Sequence, residues 1–115
     1  MALIAIVDDQ ITNRRIYSRL AASLVPGADV QSFADPIKAL EWSKGNIPDI
    51  VISDFQMGTM NGASFTAAFR AQTGCEDVPV IIVTAFEDKS FRYRALDAGA
   101  TDFITSPVDA REFGT

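Results

Sequence analysis

The chain has 115 residues, 48% of them hydrophobic, which suits one domain with one core and is too short for two. A formal charge of −5 excludes the basic stripe with which a nucleic-acid-binding domain meets phosphates, so no direct nucleic-acid partner is expected. The absence of any histidine excludes His-based triads, most zinc sites and imidazole acid–base catalysis, and the single Cys75 excludes an internal disulfide.

Leu3 to Val7 predict a first buried strand that stops at the acidic pair Asp8 and Asp9. Thr12 or Asn13 can cap the helix that follows, in which Ile16, Leu20 and Leu24 recur at the four-residue spacing of a core-facing stripe, with Tyr17 and Ala21 beside them. Pro26 and Gly27 end it. Asp29 to Ala34 reads as a short second strand, poor enough in apolar residues for a sheet edge. Asp35 and Pro36 then open a helix running to about Lys44, with Trp42 packing on its flank.

The run from Asp49 to Asp54 is nearly all apolar with little alternation, the pattern of a parallel strand buried on both faces, and Asp54 is a charge at its exit. Residues 55–62 form a loop rich in turn residues, which places the Asp54 carboxylate at the carboxyl edge of the sheet. Gly62 to about Thr73 predicts a helix with Phe65, Ala68 and Phe69 on one side. Cys75, between Gly74 and Glu76, is expected in a surface loop without a catalytic role. Val78 to Thr84 is a fourth strand, Asp88 caps a helix that ends at Gly99, and Asp102 to Thr105 is a fifth strand leading into Ser106 and Pro107. Asp109 to Phe113 begins a last helix. No apolar run is long enough to span a bilayer and no signal peptide is visible, so the expected location is cytoplasmic, away from any membrane.

Five alternations of strand and helix predict an α/β fold: a doubly wound five-stranded parallel sheet with right-handed connections. Its last helix is truncated or missing, so residues 1–115 read as a single domain cropped from a longer protein. The carboxyl ends of the strands carry Asp8 and Asp9, Asp54, Thr84 and Ser106, which should converge. Carboxylates a few Å apart repel by up to ~4 kcal/mol per pair at an effective dielectric of about 20, so the cluster needs a proton or a cation. An oxygen-only set suits Mg²⁺. A hard cation beside a carboxylate and a hydroxyl suits phosphoryl transfer, with Asp54 as nucleophile, Thr84 donating to a phosphoryl oxygen, and Asp8 and Asp9 dividing the metal between them.

With these residues assembled, the chain resembles the CheY-like receiver domain of two-component response regulators over essentially its whole length. The motifs that carry the resemblance are Ile6-Val7-Asp8-Asp9, Asp54-Phe55-Gln56-Met57 with Met60-Asn61-Gly62, Val83-Thr84-Ala85, and Ala98-Gly99-Ala100-Thr101-Asp102-Phe103. The resemblance implies a flavodoxin-like sheet of order 2-1-3-4-5. It implies that Asp54 accepts phosphate from a sensor histidine kinase or a histidine phosphotransfer protein, and that Asp9, Asp54 and the backbone carbonyl of Gln56 ligate Mg²⁺ with Asp8 acting through water. Thr84 would hold the phosphoryl group, and Phe103 would be the aromatic that changes rotamer, turning inward on activation. An output domain would follow the chain, a homodimer is open, and no reaction is implied beyond the chain's own phosphorylation and dephosphorylation.

Two positions depart from the family pattern. Ser106 stands where receivers carry a lysine, exchanging a full positive charge for a neutral hydrogen bond, with Lys89 a candidate replacement. Gly58 stands where a proline is common, which should loosen that loop. Gln56 and Phe86 occupy positions that tune hydrolysis in the family. The departure at Ser106 supports an alternative, a receiver-like interaction module not regulated by phosphorylation. An aspartyl-phosphate phosphatase would place a second aspartate where Gln56 stands, and a dinucleotide carrier would follow Val7 with a glycine-rich loop.

Overall fold

The computed structural model describes residues 1–85 and 88–105. In chain order the elements are β1 (Leu3–Val7), α1 (Ile11–Leu24), β2 (Asp29–Phe33), α2 (Pro36–Ser43), β3 (Ile50–Ser53), β4 (Gln56–Met57), β5 (Met60–Asn61), α3 (Gly62–Arg70), β6 (Val80–Thr84), α4 (Lys89–Asp97) and β7 (Asp102–Thr105). Five strands form one sheet in the order β2-β1-β3-β6-β7, every neighbouring pair parallel. This is the expected 2-1-3-4-5 arrangement once the two-residue antiparallel pair β4-β5 is set aside. The sequence showed only a loop there. Ser106, Pro107 and the helix expected from Asp109 to Phe113 lie outside the described residues, as does Phe86.

Alternation along the strands divides the core between the two faces of the sheet. Ala5, Val7, Val51, Val80, Ile82 and Phe103 join Ala39 of α2, Phe65 and Phe69 of α3 and Ala95 of α4 in one cluster. Ile4 and Ile6 face the other way and meet Tyr17 and Ala21 of α1. Phe55, Phe65 and Phe69 are among the largest fully buried side chains, each contributing about 1.5–3 kcal/mol of apolar burial. On the α1 face Ile81 and Val83 are half-buried and Ile104 is exposed. No helix among the described residues is long and apolar enough to cross a membrane.

Helix ends follow the local chemistry. Asp35 Oδ1 accepts from Ile37 N–H at 2.9 Å with Pro36 in the first turn, Asn61 Oδ1 from Ser64 N–H at 2.8 Å, and Asp88 Oδ1 from Ser90 N–H at 2.8 Å. Gly27 and Gly99 have the positive φ of left-handed turns after α1 and α4. Trp42 packs on Phe33 with ring centroids 5.2 Å apart, a packing role as expected.

Three expectations need correction. First, α1 begins at Ile11, with Gln10 at the cap position and no side-chain cap, so Thr12 and Asn13 lie inside the helix. Asp8 Oδ1 instead accepts Gln10 N–H at 2.9 Å and turns the chain into it. Second, the stripe of α1 that meets the sheet is Tyr17 and Ala21, while Leu20 is 53% and Leu24 78% exposed. Both stripes have helical spacing, and the small Ala21 is the one that permits close approach over Ile4 and Ile6. Third, Cys75 is fully buried in the larger cluster rather than on a surface loop. Gly74, at φ +90°, reverses the chain, Cys75 N–H donates to Gln72 O at 3.1 Å, and the Arg70 guanidinium donates to the carbonyls of Cys75, Val78 and Gly99. Burial then pushes the Cys75 thiol pKa up, with the Glu76 charge adding to it.

Candidate functional site

Strand register brings the acids together. Val7 lies opposite Ser53 in the β1-β3 pair, and the ladder continues one step as Asp54 N–H donates to Val7 O at 2.9 Å. Asp8 N–H extends the β1-β2 ladder to Phe33 O at 3.0 Å. Asp8 and Asp54 therefore leave adjacent parallel strands side by side, about 4.8 Å apart in the hydrogen-bonding direction. Asp8, Asp9 and Asp54 each offer a carboxylate oxygen within 4.8 Å of the others.

Each carboxylate is held differently. Asp8 is 1% exposed; its Oδ1 takes the Gln10 N–H, the Asn13 side chain bonds to it, and Arg14 donates to its backbone carbonyl at 2.8 Å. Its buried Oδ2 has no hydrogen-bond partner among the described residues. Burial raises the Asp8 pKa, and Asp9 adds to the rise. Asp54 is half-buried, with Oδ1 accepting Phe55 N–H at 2.7 Å and the Thr84 side chain also bonded to the carboxyl. Burial first, and the neighbouring Asp8 charge second, push its pKa up to about 6. Asp9 is exposed, and Gly58 N–H donates to its Oδ2 at 3.3 Å. A proline at residue 58 would have no N–H to give, so the glycine ties its loop to the acid cluster.

A buried carboxylate oxygen without a donor, beside two further carboxylates, is an arrangement that a cation relieves at once. All donor atoms are oxygen, so the residues fit Mg²⁺.

A cavity of about 650 Å³ opens over the cluster, and Asp9, Asn13, Tyr17, Asp54, Gln56 and Thr84 are among its walls. No lysine or arginine stands among its described lining residues. Lys89 lines a different cleft, with Asp88, Arg92, Tyr93, Phe103 and Thr105. Ser106 lies outside the described residues.

Sequence reasoning missed two cavity residues, Asn13 as more than a cap and Tyr17 as more than a helix neighbour. The signal was present in the four-residue series Asp9, Asn13, Tyr17, a polar line running from the acidic pair along the inner side of α1. Phe55 was also missed, read as part of a loop. It stacks on Phe91 at 4.3 Å between centroids and meets Phe103 edge-on at 6.4 Å. Phe103 already lies inward, 3% exposed, with the Arg92 guanidinium 5.1 Å above its ring and donating to its carbonyl at 3.2 Å.

Comparison with known proteins agrees with this geometry. The response regulator receiver domain family matches residues 4–114. The cyclic di-GMP phosphodiesterase response regulator RpfG of Xanthomonas campestris pv. campestris is 34% identical over 109 residues, 95% of this chain and 29% of that protein. The chain spans less than half the length of the first curated relatives it matches. The chemotaxis protein CheY4 of Vibrio cholerae superposes with a TM-score of 0.85 at 27% identity, covering 98% of this chain and 92% of that one. The receiver domain of a Pseudomonas aeruginosa PAO1 sensor histidine kinase, solved with a magnesium ion coordinated in its active site cleft, gives a TM-score of 0.82 at 28% identity, covering 98% of this chain and 91% of that one. A family match over nearly every residue, on a sheet of this order with three acids at its carboxyl edge, makes the chain a member of the response regulator receiver domain family of two-component signalling.

Proposed function

We propose that Asp54 is the phosphoacceptor, taking its phosphoryl group from a phosphohistidine on a sensor histidine kinase or histidine phosphotransfer protein, with Mg²⁺, and passing the change to an output domain. The carrying observation is the Asp54 carboxylate itself: half-buried, bonded by Phe55 N–H and Thr84, and within 4.8 Å of oxygens from Asp8 and Asp9. Asp9, Asp54 and the Gln56 backbone carbonyl would hold the ion, with Asp8 acting through water, and the ion when bound offsets the negative charge gathered at the cluster.

The rest is done by the chain. Phe55 N–H fixes one Asp54 oxygen and so orients the carboxylate, whose other oxygen attacks phosphorus. A P–O bond forms as the P–N bond breaks, and the departing electron pair stays on the imidazole nitrogen, which takes up a proton. Thr84, now bonded to Asp54, turns its hydroxyl to a phosphoryl oxygen, drawing the end of β6 with it. Phe103 and Arg92 join α4 to β7 beside that strand, so this face is where a partner or output domain would read the shift. Hydrolysis of the aspartyl phosphate returns the chain to its starting state, and no other reaction is assigned to it. The phosphodiesterase in the name of RpfG is said of a protein of which this chain covers 29%. The protein would work in the cytoplasm, with its phosphodonor.

Wild type incubated with Mg²⁺ and acetyl phosphate should gain the mass of one phosphoryl group, and Asp54→Asn should gain none. Labelling that survives in Asp54→Asn would place the acceptor elsewhere. No Mg²⁺-dependent response of wild type to beryllofluoride would favour the unphosphorylated interaction module.

A further inference from the structure

A phosphoryl group on Asp54 adds negative charge to a cavity whose described walls carry no cation. Beside the ion, those described walls offer its oxygens only neutral donors. Asn13 is turned to Asp8, and Thr84 is one donor already assigned. Tyr17 is placed in a distinct way. It packs against the cluster of Ile4, Ile6 and Ala21, and it also lines the cavity that holds Asp54 and Thr84. A tyrosine suits such a boundary, since its ring can pack on the apolar cluster while its hydroxyl serves the polar cavity.

We infer that Tyr17 donates its phenolic hydroxyl to the phosphoryl group on Asp54, as a neutral donor in a cavity with no lysine or arginine among its described walls. The inference rests on Asp54 being the acceptor. A phenol is well matched to that role, since it stays protonated at neutral pH and its rigid ring delivers one donor to a set place. A hydrogen bond to an anionic oxygen is roughly twice as strong as one between neutral groups. Tyr17 is not on the surface stripe of α1, because together with Ala21 it forms the side that meets the sheet.

The test is titration of the whole chain with beryllofluoride in saturating Mg²⁺, followed by calorimetry, for wild type, Tyr17→Phe and Tyr93→Phe. Tyr93 is the other tyrosine, 68% exposed on α4. Tyr17→Phe should bind the mimic about 10-fold or more weakly, the loss expected for one hydrogen bond to a charged group, and Tyr93→Phe as wild type. A second measurement uses the unmutated fold: in chain labelled with 3-fluorotyrosine, the ¹⁹F resonance of Tyr17, assigned with Tyr93→Phe, should move on adding the mimic. Wild-type affinity in Tyr17→Phe, or a Tyr17 resonance that stays in place, overturns the inference and leaves Asp54 as acceptor. A wild-type chain that binds no mimic overturns the acceptor reading and this inference together.

Discussion

At Asp54 a carboxyl group is held against its own charge. Its pKa rises from an ordinary 3.8 to about 6, through burial and then through Asp8. The folded chain therefore binds this proton more tightly than the unfolded chain, so without a cation stability falls as pH rises between about 4 and 6, and nothing is lost below about 4, where both states are protonated. Asp8 is raised as well and works in the same direction. Asp54→Asn should remove part of that fall and, without Mg²⁺ at pH 7, unfold at a higher temperature, by on the order of 1–2 kcal/mol after allowance for partial solvent access. Scanning calorimetry from pH 4 to 7 checks this, and an Asp54→Asn chain less stable than wild type at pH 7 would refute it. Because proton and cation compete for the same oxygens, Mg²⁺ affinity should drop as pH falls through 6.

Among the elements, the start of α3 is pressed hardest on the site. A Cβ on Gly62 would lie 2.7 Å from the Asp54 carbonyl oxygen and 3.0 Å from Phe55 Cα, both backbone atoms that cannot rotate away. Gly62 N–H also donates to Phe55 O at 2.6 Å. Gly62→Ala should therefore cost about 1–3 kcal/mol and displace the Asp54 backbone, weakening Mg²⁺ binding as well as stability. A Cβ on Gly58 would meet nothing within 4 Å, so Gly58→Ala should change stability by no more than about 0.5 kcal/mol. Urea denaturation of the pair separates the two glycines, and equal midpoints would show that α3 can yield without cost. This contrast depends on where helix meets strand and was invisible along the chain.

Across the whole molecule, parallel pairing sends the carboxyl end of every strand of the five-stranded sheet to one edge, which is why acids distant in sequence share a site. The same packing seals Cys75 behind the Arg70 bonds to Cys75, Val78 and Gly99, so a thiol reagent should reach it only when the fold opens. Labelling in native buffer should be slower than in urea by on the order of 100-fold or more, and equal rates would mean that the segment after α3 opens on its own. Strand periods, acidic strand exits and the caps at Asp35 and Asp88 were legible in the sequence, because each is decided by residues within a few positions of one another. So was the meeting of Asp8, Asp9 and Asp54, through their places at the exits of parallel strands, and the sheet order through a family pattern that spans the chain. Which of the two stripes of α1 turns inward, that Phe55 and Cys75 belong to the core, and that Asn13 and Tyr17 line the cavity over the acids were decided only by tertiary structure. A local pattern sets the period and the ends of an element, but the choice between two stripes of equal spacing is made by the shape of the surface that comes to meet them.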